Sequence, residues 1–124
     1  MIVLLDTHAL IWSVADSPRL SNKTRSIIVD ARNIVLASAV SAWEIAVKKA
    51  IGQLSVPDDL EGTVEAAAFT KRSITFADAR RVSTLPPYHH DPFDRMLVAQ
   101  ALEDGVPIVS RDPQIACYPI QIIW

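Results

Sequence analysis

Short apolar runs alternate with helix-period patterns along most of the chain. Ile2-Val3-Leu4-Leu5 is a continuous apolar run of the kind that forms a strand buried on both faces. It stops at Asp6-Thr7, and Ala9, Leu10, Ile11, Trp12 and Val14 then predict a short helix. Asp16-Ser17-Pro18-Arg19 marks a turn. Ser21 or Asn22 caps a helix predicted from Lys23 to Ala31, with Ile27 and Ile28 facing inward and Asn33 closing it. Ile34-Val35-Leu36-Ala37 is a second buried strand. The helix predicted from Ser38 ends at Gly52. At ~100° per residue its inward stripe is Val40, Trp43, Val47 and Ile51, the last three all within about 60° of Val40.

Val56-Pro57-Asp58-Asp59-Leu60 opens a further helix, predicted through Thr70 with Asp58 as N-cap. Ala66-Ala67-Ala68-Phe69 within it predicts close helix packing. Ser73-Ile74-Thr75-Phe76 reads as a third strand and Ala77 to Val82 as a short helix, with Asp78 a first-turn acid favoured by the helix dipole. Leu85-Pro86-Pro87-Tyr88 is a stiff loop. Asp91 before Pro92 has the form of an N-cap followed by proline at the first helical position. That helix runs to Asp104 and stops at Gly105. Val106 to Val109 and Pro119 to Trp124 supply the last two strands. Strands alternating with helices predict an α/β fold, a parallel sheet with helices on both faces, in a single domain over residues 1–124.

Composition narrows the setting. A chain of 124 residues, half of them hydrophobic, suits one sizeable core. Cys117 stands alone, so no internal disulfide forms, and a reducing compartment is expected. No apolar run approaches a membrane span. The start has neither a basic segment nor a long apolar one, so no signal peptide and a cytoplasmic location are expected. A net charge of −2 gives no global electrostatic case for nucleic-acid binding. Acids that converge on a divalent cation, however, present far less negative charge than their count suggests. The pairs Lys48-Lys49, Lys71-Arg72 and Arg80-Arg81 read as solvated surface.

Four acids stand out by position. With Asp94 at zero, Leu97, Val98, Ala101 and Leu102 fall within about 80° of it, so Asp94 lies on an apolar helix face. Glu44 sits about 40° from Val40 on the preceding stripe. Ionised carboxylates there are costly unless paired or bound to metal. Lys48, four residues on, offers Glu44 a helix ion pair, and Asp94 at the third helical position can serve as a capping-box acid. Asp6 and Asp112 follow the ends of apolar strands, where parallel sheets bind ligands. Each reads equally as a helix cap or an Asp turn. In a βαβ layout the four can share one crevice, where their mutual repulsion calls for protons or a hard divalent cation. The spacing lacks the His/Cys pattern of zinc. An acid-only Mg²⁺ or Mn²⁺ site points to phosphodiester chemistry.

Asp6-Thr7, Ser41-Ala42-Trp43-Glu44-Ile45-Ala46-Val47-Lys48, Asp91-Pro92-Phe93-Asp94-Arg95-Met96-Leu97-Val98-Ala99-Gln100-Ala101 and Val109-Ser110-Arg111-Asp112 together resemble the PIN-domain ribonucleases. More narrowly they resemble the VapC toxins of toxin–antitoxin pairs, over essentially the whole chain. The resemblance implies a PIN-like three-layer α/β/α sandwich with a five-stranded parallel sheet. It implies metal-dependent endonucleolytic cleavage of RNA with Mg²⁺ or Mn²⁺, a cognate antitoxin that covers the active-site groove, and a homodimer. Asp6, Glu44, Asp94 and Asp112 match the four family acids and are expected as catalytic residues and metal ligands. Ser110 stands where many relatives carry threonine. Thr7, Lys48 and Arg95 become candidates for contacts to the ligands or to phosphate, Asp91 remains a cap, and His89 and His90 read as loop residues.

Three other readings share parts of this pattern. A haloacid-dehalogenase-type phosphatase wants an Asp two residues after the first, where this chain has His8. A phosphoacceptor receiver domain wants a lysine after a late strand, and no lysine follows Lys71. A catalytically silent binding module would keep the fold and bind no metal.

Overall fold

The computed structural model describes residues 1–56 and 58–124. Among them, five strands form one parallel sheet: β1 (Ile2–Leu5), β2 (Ile34–Ser38), β3 (Thr70–Arg72), β4 (Ile108–Val109) and β5 (Ile122–Ile123). The helices are α1 (Thr7–Val14), α2 (Asn22–Val29), α3 (Ala39–Ala50), α4 (Leu60–Ala66), α5 (Phe76–Ser83) and α6 (Pro92–Asp104), with a short 3₁₀ turn at Ile115–Cys117. The strand order is β3-β2-β1-β4-β5. β1 is central, and the chain crosses to its far side only after β3. That reversal opens a crevice at the carboxyl ends of β1 and β4.

Alternation along the strands divides the core in two. Val3, Leu5, Val35, Ala37, Val109 and Ile123 face one way, with Leu10 of α1, Ile45 of α3 and Val64 of α4. Leu4, Leu36 and Ile108 face the other way, with Val40 of α3 and Leu97, Val98 and Ala101 of α6. This is the three-layer α/β/α arrangement that near-continuous apolar strands require. None of the helices among the described residues is long and apolar enough to cross a membrane.

The third strand lies earlier than predicted. Thr70-Lys71-Arg72 pairs with Leu36, Ala37 and Ser38, while Ile74 and Phe76 are exposed. β3 is an edge strand, so backbone pairing and not side-chain burial sets it, and polar residues are tolerated there. Helix α4 also differs. Asp59, not Asp58, caps it, accepting from the Gly62 N–H, and Asp58 instead pairs with Lys49. It ends at Ala66 and not Thr70, because Ala68 takes a left-handed φ of 59°; Ala66 to Ala68 are exposed and do not form the close helix packing predicted. Pro57, part of the predicted helix opening, lies outside the described residues.

The predicted stripe on α3 is turned. Val40 is buried, but Trp43, Val47 and Ile51 are 52%, 41% and 63% exposed. The buried face is Val40, Ser41, Glu44 and Ile45, a rotation of roughly 80° from the hydrophobic prediction. Ser38 and Ser41 anchor this orientation: Ser38 caps the helix, and Ser41 Oγ lies 3.0 Å from Thr7 Oγ1 at the start of α1. Rotation brings Glu44 fully inward.

Candidate metal centre

Each of the four acids reaches the same edge of the sheet by a different local device. Asp6 ends β1 and caps α1, accepting the Ala9 N–H at 2.7 Å. Asp112 follows β4; its Oδ1 accepts the Gln114 N–H, and its own N–H donates to the buried Ser110 Oγ. Glu44 sits in the second turn of α3, which leaves β2 directly. Asp94 sits in the first turn of α6, whose far end returns through Gly105 toward β4. Asp91 caps α6 by accepting the Phe93 and Asp94 N–H groups, as its place before Pro92 predicts. Asp94 therefore does not cap the helix itself.

Electrostatics shows how close the acids stand. Burial pushes the Asp94 carboxyl up to about 7, and the charges of Asp91, Glu44 and Asp6 push the same way against His89. Burial also raises Asp6; the Ser110 hydroxyl, the Ala9 N–H and His8 pull it down without cancelling that effect, and Asp112 adds to it. Glu44 is buried, with Lys48 donating to Oε2. Its Oε1 is buried with no hydrogen-bond partner. Glu44 first, then Asp91 and Asp94, hold the Lys48 ammonium in its charged form, so this lysine faces the same crevice.

His89 lies in a loop, as the sequence predicts, but it is buried against two of the acids, which the sequence did not show. It is 7% exposed, and its Nε2 lies 2.9 Å from Asp112 Oδ2 and 3.1 Å from Asp94 Oδ2. Its Nδ1 accepts the Asp91 N–H, which in the neutral ring leaves the proton on Nε2, between the two carboxylates. Tyr118 and Arg95 hold this loop. The Tyr118 hydroxyl accepts the His89 N–H and donates to the Pro86 carbonyl. Arg95 donates to the carbonyls of Val82, Leu85 and Pro86. Arg95 thus fastens the loop through both of its terminal nitrogens. His90 is exposed, as a loop residue should be. The signal for His89 was its spacing: a histidine two residues before a helix cap can reach that helix's first turn.

The side chains of His89, Asp94 and Asp112 bring one ligand atom each within 4.8 Å of one another. Asp6 and Glu44 adjoin this trio, near enough for their charges to act on Asp94. An oxygen-rich donor set, an unpartnered buried carboxylate oxygen and a carboxyl driven toward neutrality fit a hard divalent cation. One consequence holds for the metal-free protein. Asp94 is raised above its unfolded value of ~4, so the folded state binds more protons than the unfolded chain between about pH 4 and pH 7. Its stabilising contribution is complete below that window and fades as pH rises through it. Thermal melts in chelator should show Tm falling from about pH 5 to about pH 7; a Tm rising across that range contradicts this electrostatic picture.

Comparison with known proteins bears on what such a crevice does. The family model described as "PIN domain" matches residues 3–119. Ribonuclease VapC22 of Mycobacterium tuberculosis is 31% identical over 120 residues, covering 91% of this chain and 88% of that relative. Ribonuclease VapC16 of the same organism is 49% identical over 45 residues, a stretch spanning only 32% of its length. Among solved structures, VapBC2 from Rickettsia felis bound to a promoter DNA fragment superposes with TM-score 0.71 at 10% identity, covering 99% of this chain and 98% of that one. A toxin–antitoxin complex from Klebsiella pneumoniae gives TM-score 0.65 at 20% identity, covering 98% and 96%. These last two likenesses establish the fold.

Proposed function

Because this chain belongs to the PIN domain family, we propose that it is a metal-dependent endoribonuclease and the toxin of a toxin–antitoxin pair. Asp6, Glu44, Asp94 and Asp112 are assigned to hold Mg²⁺, with Mn²⁺ as a substitute, within one domain over residues 1–124. The observation that carries the reading is the buried, unpartnered Oε1 of Glu44 among carboxylates whose charges crowd Asp94. When bound, a divalent cation there supplies Lewis acidity, acidifying water and neutralising charge on a phosphodiester. The chain's own groups do the positioning. Lys48 fixes one oxygen of Glu44 and leaves the other free. Ser110 and the Ala9 N–H orient Asp6. His89 spans Asp94 and Asp112 and keeps them together when no cation does.

The relatives named as ribonucleases support RNA as the substrate. The neighbours titled as VapBC and toxin–antitoxin complexes support an antitoxin as partner. The exposed Trp43, Val47 and Ile51 of α3 give partner chains, antitoxin or a second copy in a homodimer, an apolar surface to cover. A cytoplasmic setting suits a lone exposed cysteine.

Protein purified free of any partner should cleave RNA in Mg²⁺ or Mn²⁺ and stop when the cation is chelated. Asp6→Asn and Glu44→Gln should each lower the rate by a hundredfold or more, roughly 3 kcal/mol in the barrier. Equal residual activity in wild type and variants would refute the site. The satisfied hydrogen bonds of Asp6 and Asp112 favour one second reading, a silent binding module. Calorimetry separates the two: the module gives no heat with Mn²⁺.

A further inference from the structure

Beside the acids lies a cavity of about 440 Å³, lined by Asp6, His8, Trp12, Arg19, Arg111, Asp112, Pro113 and Trp124. Trp12 is its floor. The Arg111 guanidinium sits 4.6 Å from the Trp12 ring centre and 5.9 Å from that of Trp124, and the Arg19 guanidinium sits 5.7 Å from Trp12. The two indoles meet edge-on at 5.7 Å. Both arginines are exposed, and neither has a carboxylate partner among the described residues. Most of the other basic side chains near an acid are paired. Here the cations lie on aromatic faces, within one cavity with Asp6 and Asp112, and among the described residues their side-chain N–H donors have no hydrogen-bond acceptor.

We propose that Arg19 and Arg111, seated on Trp12 and Trp124, form a clamp for a backbone phosphate of the RNA strand next to the one that is cut. The inference rests on the ribonuclease reading and adds to it a substrate contact outside the acid cluster. Guanidinium forks match phosphate oxygens in pairs, and an aromatic platform holds the fork in place before the ligand arrives. An anion is drawn to the arginine side of the cavity. With a divalent cation on the acids, the opposite side no longer repels it. A polyanion long enough to reach both sides at once is a nucleic-acid strand. The acidic overall charge of the chain is then no obstacle, because the positive field is local.

The test is fluorescence anisotropy with a short labelled, cleavage-resistant single-stranded RNA in Mg²⁺, with the four acids intact, across a salt series. Arg19→Ala/Arg111→Ala should weaken binding about tenfold and flatten the slope of log affinity against log salt by about 0.7 per lost phosphate contact. Arg111→Glu should weaken it further. Arg80→Ala, an exposed arginine on α5, should change neither. Affinity and slope unchanged in the double variant, while the wild type still cleaves RNA, would overturn the clamp and leave the nuclease reading standing. A wild type that cleaves no RNA in Mg²⁺ or Mn²⁺ would overturn both. Polyglutamate that displaces the RNA, and itself loses affinity in the double variant, would assign the cavity to an acidic peptide and overturn the RNA assignment.

Discussion

Asp94→Asn is expected to abolish RNA cleavage and, in the same protein, to raise the Tm of the metal-free form near neutral pH. The two effects share one cause. Asp94 is a desolvated carboxyl pressed by the charges of Asp91, Glu44 and Asp6. Asparagine has nearly the same shape and still offers an oxygen to His89 Nε2, which lies 3.1 Å from Asp94 Oδ2. It removes the charge that a divalent cation needs, so the rate should fall about a thousandfold or more, roughly 4 kcal/mol. It also removes the repulsion, so the metal-free protein should gain stability and lose most of its decline between about pH 5 and pH 7. Single-turnover cleavage and chelated thermal melts read the two halves independently. A variant within about tenfold of wild-type rate would remove Asp94 from the site; a lower Tm at neutral pH would show its charge to be structurally satisfied.

The largest loss of stability is expected from a different acid. Asp78→Ala should cost about 3 kcal/mol in urea unfolding, near the lower end of what breaking a buried pair costs. Asp78 has no exposed surface. Burial pushes its carboxyl up, but the Arg72 guanidinium, the Thr75 N–H and Gln100 outweigh that and hold it below the usual carboxylate range. Arg72 grips it with two bonds of 2.8 Å. Gln100, buried on α6, donates to Asp78 and accepts from Ser38 at the end of β2. Removing Asp78 therefore leaves Gln100 short of an acceptor and loosens the join between β3, α5 and α6. Arg72 retains Asp104, a more exposed partner, which limits the loss. Asp104→Ala alone should cost under about 1 kcal/mol. The pH signature is opposite to that of Asp94: with its folded value depressed, Asp78 stabilises above about pH 4 and that contribution is lost as pH falls below it. A cost under about 1 kcal/mol for Asp78→Ala would show the network to be dispensable.

Asp78 also marks where the sequence stopped being readable. As a first-turn acid it was legible, and the capping box with Thr75 follows that logic. Its partners were not, because Arg72 and Gln100 reach it across elements that only the folded sheet brings together. The buried strands β1, β2 and β4 were legible because burial on both faces demands unbroken apolar runs. The edge strand β3 was not, because a polar edge carries no such demand. The α3 stripe misled for a related reason: an apolar surface that a partner can cover looks, in sequence, like an apolar surface turned to the core. Asp94 and Glu44 were legible as acids on apolar faces, and the rotation of α3 puts Glu44 deeper than its helical angle implied. The burial of His89 was not legible because a loop histidine has no periodicity to betray it, and the hydroxyl that accepts its N–H belongs to Tyr118, 29 residues away.

Everything functional here turns on whether these side chains hold one divalent cation. Anomalous scattering from Mn²⁺-soaked crystals of the partner-free wild type answers that directly. A manganese peak is expected at ~2.0–2.3 Å from a carboxylate oxygen of Asp94, shared with Asp6 or Glu44, with water completing the shell. No peak at the crevice, or one bound away from Asp94, would contradict it.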